Sequence, residues 1–199
     1  IEAVTGVQTC ALPISGALEL TAWLLLRPCS DRKTRQNWLP AVLHLNASAI
    51  PEQSTDYLAL LDLNTNQYSK LAITNLPAEA RGIYVHAIEV WPGEEDALTV
   101  LINSHRPPLD RANSAATGAD SVIEIFETRL GAKEVNWVKT VKHELIRTPN
   151  NIAAVGPRQF YFTNDHKRKS HWVRRSILFT PKSGLTRRVA VSQVGGPLR

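Results

Sequence analysis

Phe160-Tyr161-Phe162-Thr163-Asn164-Asp165-His166 reads as an alternating apolar strand that ends abruptly on two hard-oxygen side chains and an imidazole. Successive side chains of a pleated strand point to opposite sides, so Asn164 and Asp165 can each serve a different oxygen-loving cation. The same residues also suit a simple turn that caps the strand. The pattern leaves both readings open, and the rest of the chain has to weigh them.

Two histidines occupy similar settings upstream. His86 lies in G-I-Y-V-H-A-I-E-V and His105 in L-T-V-L-I-N-S-H, each at or inside a β-branched run. A single histidine in such a strand is ordinarily a hydrogen-bonded core residue. Other strands are expected at Leu18 to Leu26, Tyr57 to Asp62, Tyr68 to Ile73, Val85 to Val90, Leu98 to Asn103, Val122 to Glu127, Glu134 to Val141, Ile152 to Val155, Ser176 to Phe179 and Thr186 to Ser192. Turn signals separate them at Pro92-Gly93, Arg106-Pro107-Pro108, Gly131 and Pro181 to Gly184. Asp62-Leu63-Asn64-Thr65-Asn66 reads as a hairpin turn, and the proline-containing, polar stretch from Ser30 to Ser54 as an insertion loop. With 43% hydrophobic and 21% charged residues, 12 Pro and 10 Gly, the composition is that of an ordinary globular, β-rich chain.

The order of these segments is informative. Val-His-Ala-Ile, Ile-Asn-Ser-His, S-V-I-E-I-F (Ser121 to Phe126), K-T-V-K-H-E-L-I (Lys139 to Ile146), N-I-A-A-V-G-P (Asn151 to Pro157) and T-N-D-H follow one another nearly without gaps. From about Tyr57 to Pro181 this resembles the serum paraoxonase/arylesterase family, and H-R-P-P-L-D and G-A-D-S-V are similar to its fungal branch. The resemblance implies a six-bladed β-propeller with two calcium ions in its central tunnel, hydrolysing lactones and aryl esters. By position, Asn164 matches a ligand of the catalytic calcium, while Asp165 and the backbone carbonyl of Ile88 match ligands of the structural calcium. His86 matches the general base and His105 its supporting partner.

The implied chemistry is physically coherent. Asn, Asp and carbonyl oxygens are hard donors that favour calcium, and no Cys or His pair has zinc-like spacing. A calcium ion can act as a Lewis acid on an ester carbonyl, while an imidazole near neutral pKa accepts a proton from water and a second imidazole fixes its tautomer. Two other functions fit a propeller: a gluconolactonase-like calcium enzyme, against which the His pair speaks, and a non-catalytic binding module.

At roughly 40 to 50 residues per four-stranded blade, 199 residues make about three to four blades, so an incomplete, all-β propeller over residues 16–199 is expected. Residues 1–15 are set apart, because Val4 to Ile14 (V-T-G-V-Q-T-C-A-L-P-I) resembles a translated sequencing adapter. The family's acidic calcium-binding pair would fall near Ile14 and Ser15, which carry no carboxylate. The chain alone is therefore expected to bind calcium poorly and to be inactive, the activity belonging to a longer parent protein.

Nine of the 23 Lys and Arg residues lie from Lys167 onward with no acid among them, leaving 14 bases against 18 acids in the preceding part. The net charge of +5 is thus one segment, without the interleaved aromatics of a nucleic-acid surface. Lys167 to Arg175 is either a solvated charge run or an interfacial helix that places Trp172 and Val173 against lipid. Cys29 reads as a small buried thiol, and the sequon Asn46-Ala47-Ser48, together with the family resemblance, points to a secreted protein or one in the secretory-pathway lumen.

Overall fold

A computed structural model describes residues 23–26, 32–166, 169 and 189–191. The segments expected to hold the adapter-like stretch, Cys29, the strand at Ser176 and, apart from Lys169, the cationic run to Arg175 lie outside these residues. The chain is all-β, its strands arranged as part of a β-propeller.

The strands are β1 (Trp23–Leu26), β2 (Trp38–Leu39), β3 (His44–Leu45), β4 (Leu58–Asp62), β5 (Gln67–Thr74), β6 (Val85–Pro92), β7 (Ala97–Arg106), β8 (Asp120–Arg129), β9 (Glu134–Val141), β10 (Pro149–Gly156), β11 (Gln159–Asn164) and β12 (Val189–Val191). Two short helices, α1 (Arg32–Asn37) and α2 (Ser114–Thr117), punctuate them. Strands β6 to β9 pair antiparallel in sequence order and form one four-stranded blade. β1, β4 and β5 precede it, and β10, β11 and β12 follow it as a separate sheet. A three-residue parallel pairing, Ala72 to Thr74 against Glu134 to Asn136, joins the first group to the second.

The β4–β5 hairpin shows why short polar runs suffice as connections. Asp62 Oδ1 accepts the backbone N–H groups of Asn64 and Thr65 at 2.8 and 3.3 Å, and Asn66 takes the left-handed φ of 55° that closes the turn. At the other end of β7, Pro107 and Pro108 lack the N–H needed to continue a ladder.

The middle blade is buried on both faces. Val100 and Ile102 of β7 join Leu58, Leu60, Leu71, Ile83, Val85, Ile88, Phe126 and Val135 in one apolar cluster toward the first group of strands. Leu101 points the other way and packs with Ile123, Ile125, Val141, Ile146, Ile152, Phe160 and Phe162 toward β10 and β11. Period-two alternation here sorts side chains between two cores rather than between core and water, which is why all of Leu98 to Arg106 is buried.

The stretch from Ser30 to Ser54 departs from the expected loop. α1, the short β2–β3 ladder and two 3-10 turns fold over Trp38, Leu45, Ala47 and Ile50, which bury themselves with Tyr84 and Ala119. Enough large apolar residues lie between its prolines to cap one end of the blade.

Charge is also buried there. Glu124 is fully enclosed; its Oε2 accepts Trp137 Nε1–H at 3.0 Å and Thr140 Oγ1–H at 2.6 Å, and Arg106 Nη1 stands 3.7 Å from Oε1. Removing one member of such a network leaves its partners desolvated. Glu124→Ala is expected to lower the unfolding free energy by about 3–5 kcal/mol, and Glu124→Gln by clearly less, as read from urea denaturation.

Candidate active site

The candidate side chains lie at or near strand ends, and Ile88 lies within β6. β7 runs without a break in register against β8 from Ala97↔Arg129 to Arg106↔Asp120, so His105 lies opposite Ser121. His105 is 3% exposed, and its Nδ1 stands 2.9 Å from Ser121 Oγ. Trp38 Nε1–H reaches across from β2 to the His105 carbonyl at 2.8 Å, tying the cap to the same residue.

His86 arrives by a different device. The β6–β7 register passes from Val85↔Ser104 to Ala87↔Asn103, so one extra residue bulges out of β6. Val85 and Ile88 both belong to the first apolar cluster, which leaves His86 and Ala87 between them on the β10 side of the blade. There the His86 and His105 rings meet with centroids 4.9 Å apart and planes inclined by 56°. His86 Nε2 also stands 3.1 Å from Asn150 Oδ1 on β10.

Asn164, the last residue of β11, pairs with Pro149, the neighbour of Asn150. The register therefore brings Asn164 and the two histidines to the same end of the sheets. The Asn164 carboxamide clamps the β9–β10 connection: Oδ1 accepts the backbone N–H groups of Arg147 and Thr148 at 3.0 and 2.9 Å, and Nδ2 donates to the Leu145 carbonyl at 2.9 Å. Asp165 lies just past the strand, exposed, with its backbone N–H bonded to the Thr148 carbonyl at 3.0 Å. Ile88 sits in β6 opposite Ile102, two residues beyond His86.

The turn-capping reading of T-N-D-H thus describes what the Asn164 carboxamide does in the structure. Its donor chemistry suits a hard cation, as do the Asp165 carboxylate and the Ile88 carbonyl. Among the described residues, however, no three His, Cys, Asp or Glu side chains stand close enough together to hold a metal ion. Ligation by the Asn164 oxygen would have to exchange or share the two backbone N–H groups it now receives.

The family profile for arylesterases matches residues 39–178, which include His86, Ile88, His105, Asn164 and Asp165. The chain belongs to the arylesterase family. Serum paraoxonase/arylesterase 1 of Rattus norvegicus is 32% identical over 111 residues, 55% of this chain and 28% of the relative, and the human protein of the same name is 31% identical over the same length. Serum paraoxonase/lactonase 3 of Rattus norvegicus is 43% identical over 54 residues, 27% of this chain and 15% of the relative. The match to the arylesterase relatives thus spans under a third of their length. No helix among the described residues of this arylesterase-family chain is long and apolar enough to cross a membrane.

Sequence reasoning missed several residues around the pair. Asn150 bonds to His86 from a different sheet, and only the fold brings them together. Asn103 is fully buried two residues before His105, on the same face of β7, and neither atom of its carboxamide has a hydrogen-bond partner among the described residues. A polar residue interrupting the run L-T-V-L-I was the available signal.

An ion pair holds this corner together. Arg106 Nη2 meets Asp120 Oδ2 at 2.9 Å, and Lys142 Nζ meets Asp120 Oδ1 at 2.8 Å, one step along the strands from His105 and Ser121. Burial works to raise the Asp120 pKa, but the hydrogen bond from Lys142 and the charges of Arg106, Lys142 and Lys169 outweigh it and hold the carboxyl below its ordinary value. A carboxyl depressed on folding stabilises the fold above its unfolded pKa, and that contribution is lost as pH falls through the folded pKa. Asp120→Asn should therefore destabilise the fold at pH 7 in urea titrations, with the difference from wild type shrinking as pH drops below the ordinary carboxylate range.

The Asn164 clamp gives a second expectation. Asn164→Ala removes the partners of two N–H groups and one carbonyl and should cost about 1–3 kcal/mol of stability in chelator, measured by denaturant titration.

Proposed function

We propose that this chain is part of a hydrolase that cleaves lactones and aryl esters, with His86 as the general base and His105 as its support. The observation that carries the reading is the pairing of two imidazoles from adjacent strands, 4.9 Å apart, at the end of the blades where Asn164 also lies. Membership of the arylesterase family supports it, as do relatives whose names include arylesterase and lactonase.

In this reading His86 accepts a proton from the attacking water. His105 lies behind it, almost fully buried, held by Ser121 at Nδ1 and by Trp38 at its carbonyl, so the pair keeps its geometry without help from solvent. The Arg106–Asp120 ion pair stops the ends of β7 and β8 from fraying, which keeps His105 opposite Ser121.

Calcium is the cofactor this donor set favours. The Asn164 carboxamide, the Asp165 carboxylate and the Ile88 carbonyl would contribute oxygens, with the remainder of the about six to eight that calcium takes coming from elsewhere in the protein. When bound, the ion polarises an ester carbonyl as a Lewis acid. Secretion fits the same reading: the relatives are named as serum proteins, and both Asn46 and Ser48 of the single sequon are exposed.

The test uses the full-length parent protein with a γ-lactone and phenyl acetate as substrates. Chelator is expected to abolish hydrolysis and added calcium to restore it. His86→Gln should lower kcat by about 100- to 10,000-fold, the usual worth of a general base. Turnover indifferent to chelator would remove calcium from the reading, and undiminished turnover by His86→Gln would remove the base.

A further inference from the structure

The connection from β7 to β8 leaves the sheet directly after His105 and Arg106, runs through Pro107 and Pro108, and returns through α2 to Asp120. It is stiff in itself. The two prolines fix their own backbone angles at the point of departure. Asp110 Oδ1 then accepts the N–H of Asn113 at 3.3 Å, and the Gly118 N–H closes α2 on the Ser114 carbonyl at 2.8 Å.

Two side chains of this connection grip the cap. Arg111 Nη2 donates to the carbonyls of Ile50 and Pro51 at 2.6 and 3.0 Å and also to that of Ala47. Ser114 is buried, and its hydroxyl donates to the Leu45 carbonyl at 2.6 Å while accepting the Ala47 N–H at 3.1 Å. From the blade, the Tyr84 hydroxyl takes the next carbonyl, that of Glu52, at 3.2 Å. Carbonyl oxygens crowded at one point repel one another unless a donor stands among them, and a cation serves best. That is a physical reason for a charged residue at position 111.

The grip closes a circuit on His105. Trp38 lies opposite Leu45 in the β2–β3 ladder, and its indole N–H reaches the His105 carbonyl at 2.8 Å. The His105 N–H bonds the Tyr84 carbonyl at 2.9 Å. Tyr84 and Trp38 pack in one cluster with Leu45, Ala47, Ile50 and Ala119, the last of these at the end of the same connection. Both backbone groups of His105 therefore bond to one cluster, and the chain that departs next to His105 holds that cluster shut.

We propose that Arg111 is a positioning residue for His105: its guanidinium, with the Ser114 hydroxyl beside it, latches the cap onto the blade, and through Trp38 the latch holds the His105 backbone where its ring meets His86. For its effect on turnover the proposal rests on the hydrolase reading. It adds to that reading a side chain that touches neither histidine and acts through the cap.

The test measures hydrogen exchange by NMR in the full-length protein without substrate, and turnover of phenyl acetate beside it. Arg111→Ala should speed exchange of the Trp38 indole N–H and the His105 amide by about tenfold or more, with the Ile123 and Ile125 amides of β8 keeping their wild-type rates. Its kcat should fall by about 10- to 100-fold with KM unchanged, because the geometry of the pair is lost rather than a substrate contact. Added guanidinium ion at millimolar concentration should return both readouts toward wild type. Arg111→Lys, which keeps a cation, should lose less, and Leu109→Ala, an exposed residue of the same connection, should change neither. Should Arg111→Ala fail to fold, Arg111→Lys and Ser114→Ala carry the same two readouts in milder form. An unchanged Trp38 exchange rate overturns the proposal, as does faster exchange with unchanged kcat, or an effect on KM alone. So does exchange that rises equally throughout the protein, which marks general destabilisation. A wild-type protein that hydrolyses nothing would count against the hydrolase reading, while the latch would still stand or fall on the exchange rates of Trp38 and His105.

Discussion

Everything in this structure depends on one strand having no wet side. β7 sends Val100 and Ile102 into one apolar cluster and Leu101 into the other, and its last nine residues are buried. A β-sheet enclosed on both faces cannot shift register by one residue without exchanging its two cores, so the pairing of β7 with its neighbours is held tightly. That rigidity is what makes the end of β7 a good platform. His105 is placed by the same ladder that places Ile102, and Ser121 and Trp38 need only hold a residue that has nowhere else to go.

The candidate side chains enter this arrangement where the ladder is interrupted or ends. The bulge in β6 turns His86 toward the next sheet, and the bulge in β10 turns Asn150 back toward it. Asn164 ends β11 and ties down the preceding connection with three hydrogen bonds. The apolar interior passes along β7 from Leu101 through Asn103 to His105, so polarity rises stepwise toward one end of the blades. Hydrogen bonds and ion pairs there act in a medium less screening than water, where a satisfied polar network is rigid and an incomplete one is costly. Glu124, Arg106, Asp120 and Lys142 form such a network on β7, β8 and the residue after β9, and it ties the end of β7 to β8.

Much of this was legible in the residues. The runs beginning at Tyr57, Val85, Leu98, Val122, Glu134 and Phe160 became β4, β6, β7, β8, β9 and β11, and the Asp62 to Asn66 hairpin formed by the side-chain capping its composition implied. The ends were less legible: β7 reaches Arg106 and β10 begins at Pro149, because pairing with a neighbour extends a strand past the point where its own pattern stops. The segment from Ser30 to Ser54 looked like a loop because its apolar residues follow no period, yet Trp38, Leu45 and Ile50 find a shared core only once Tyr84 and Ala119 are beside them.

The sequence by itself determined the strands, their order, the family and the residue types available for chemistry, because alternation, turn chemistry and the T-N-D-H and N-I-A-A-V-G-P motifs are local properties of the chain. Tertiary structure decided which of those residues meet. His86 and His105 are 19 positions apart, and Asn150 is 64 from His86; their contacts come from one extra residue in each of two strands and from the stacking of separate sheets. A bulge reverses which face a side chain takes without leaving a trace in hydrophobic periodicity, so only the folded register could show that these groups are in contact.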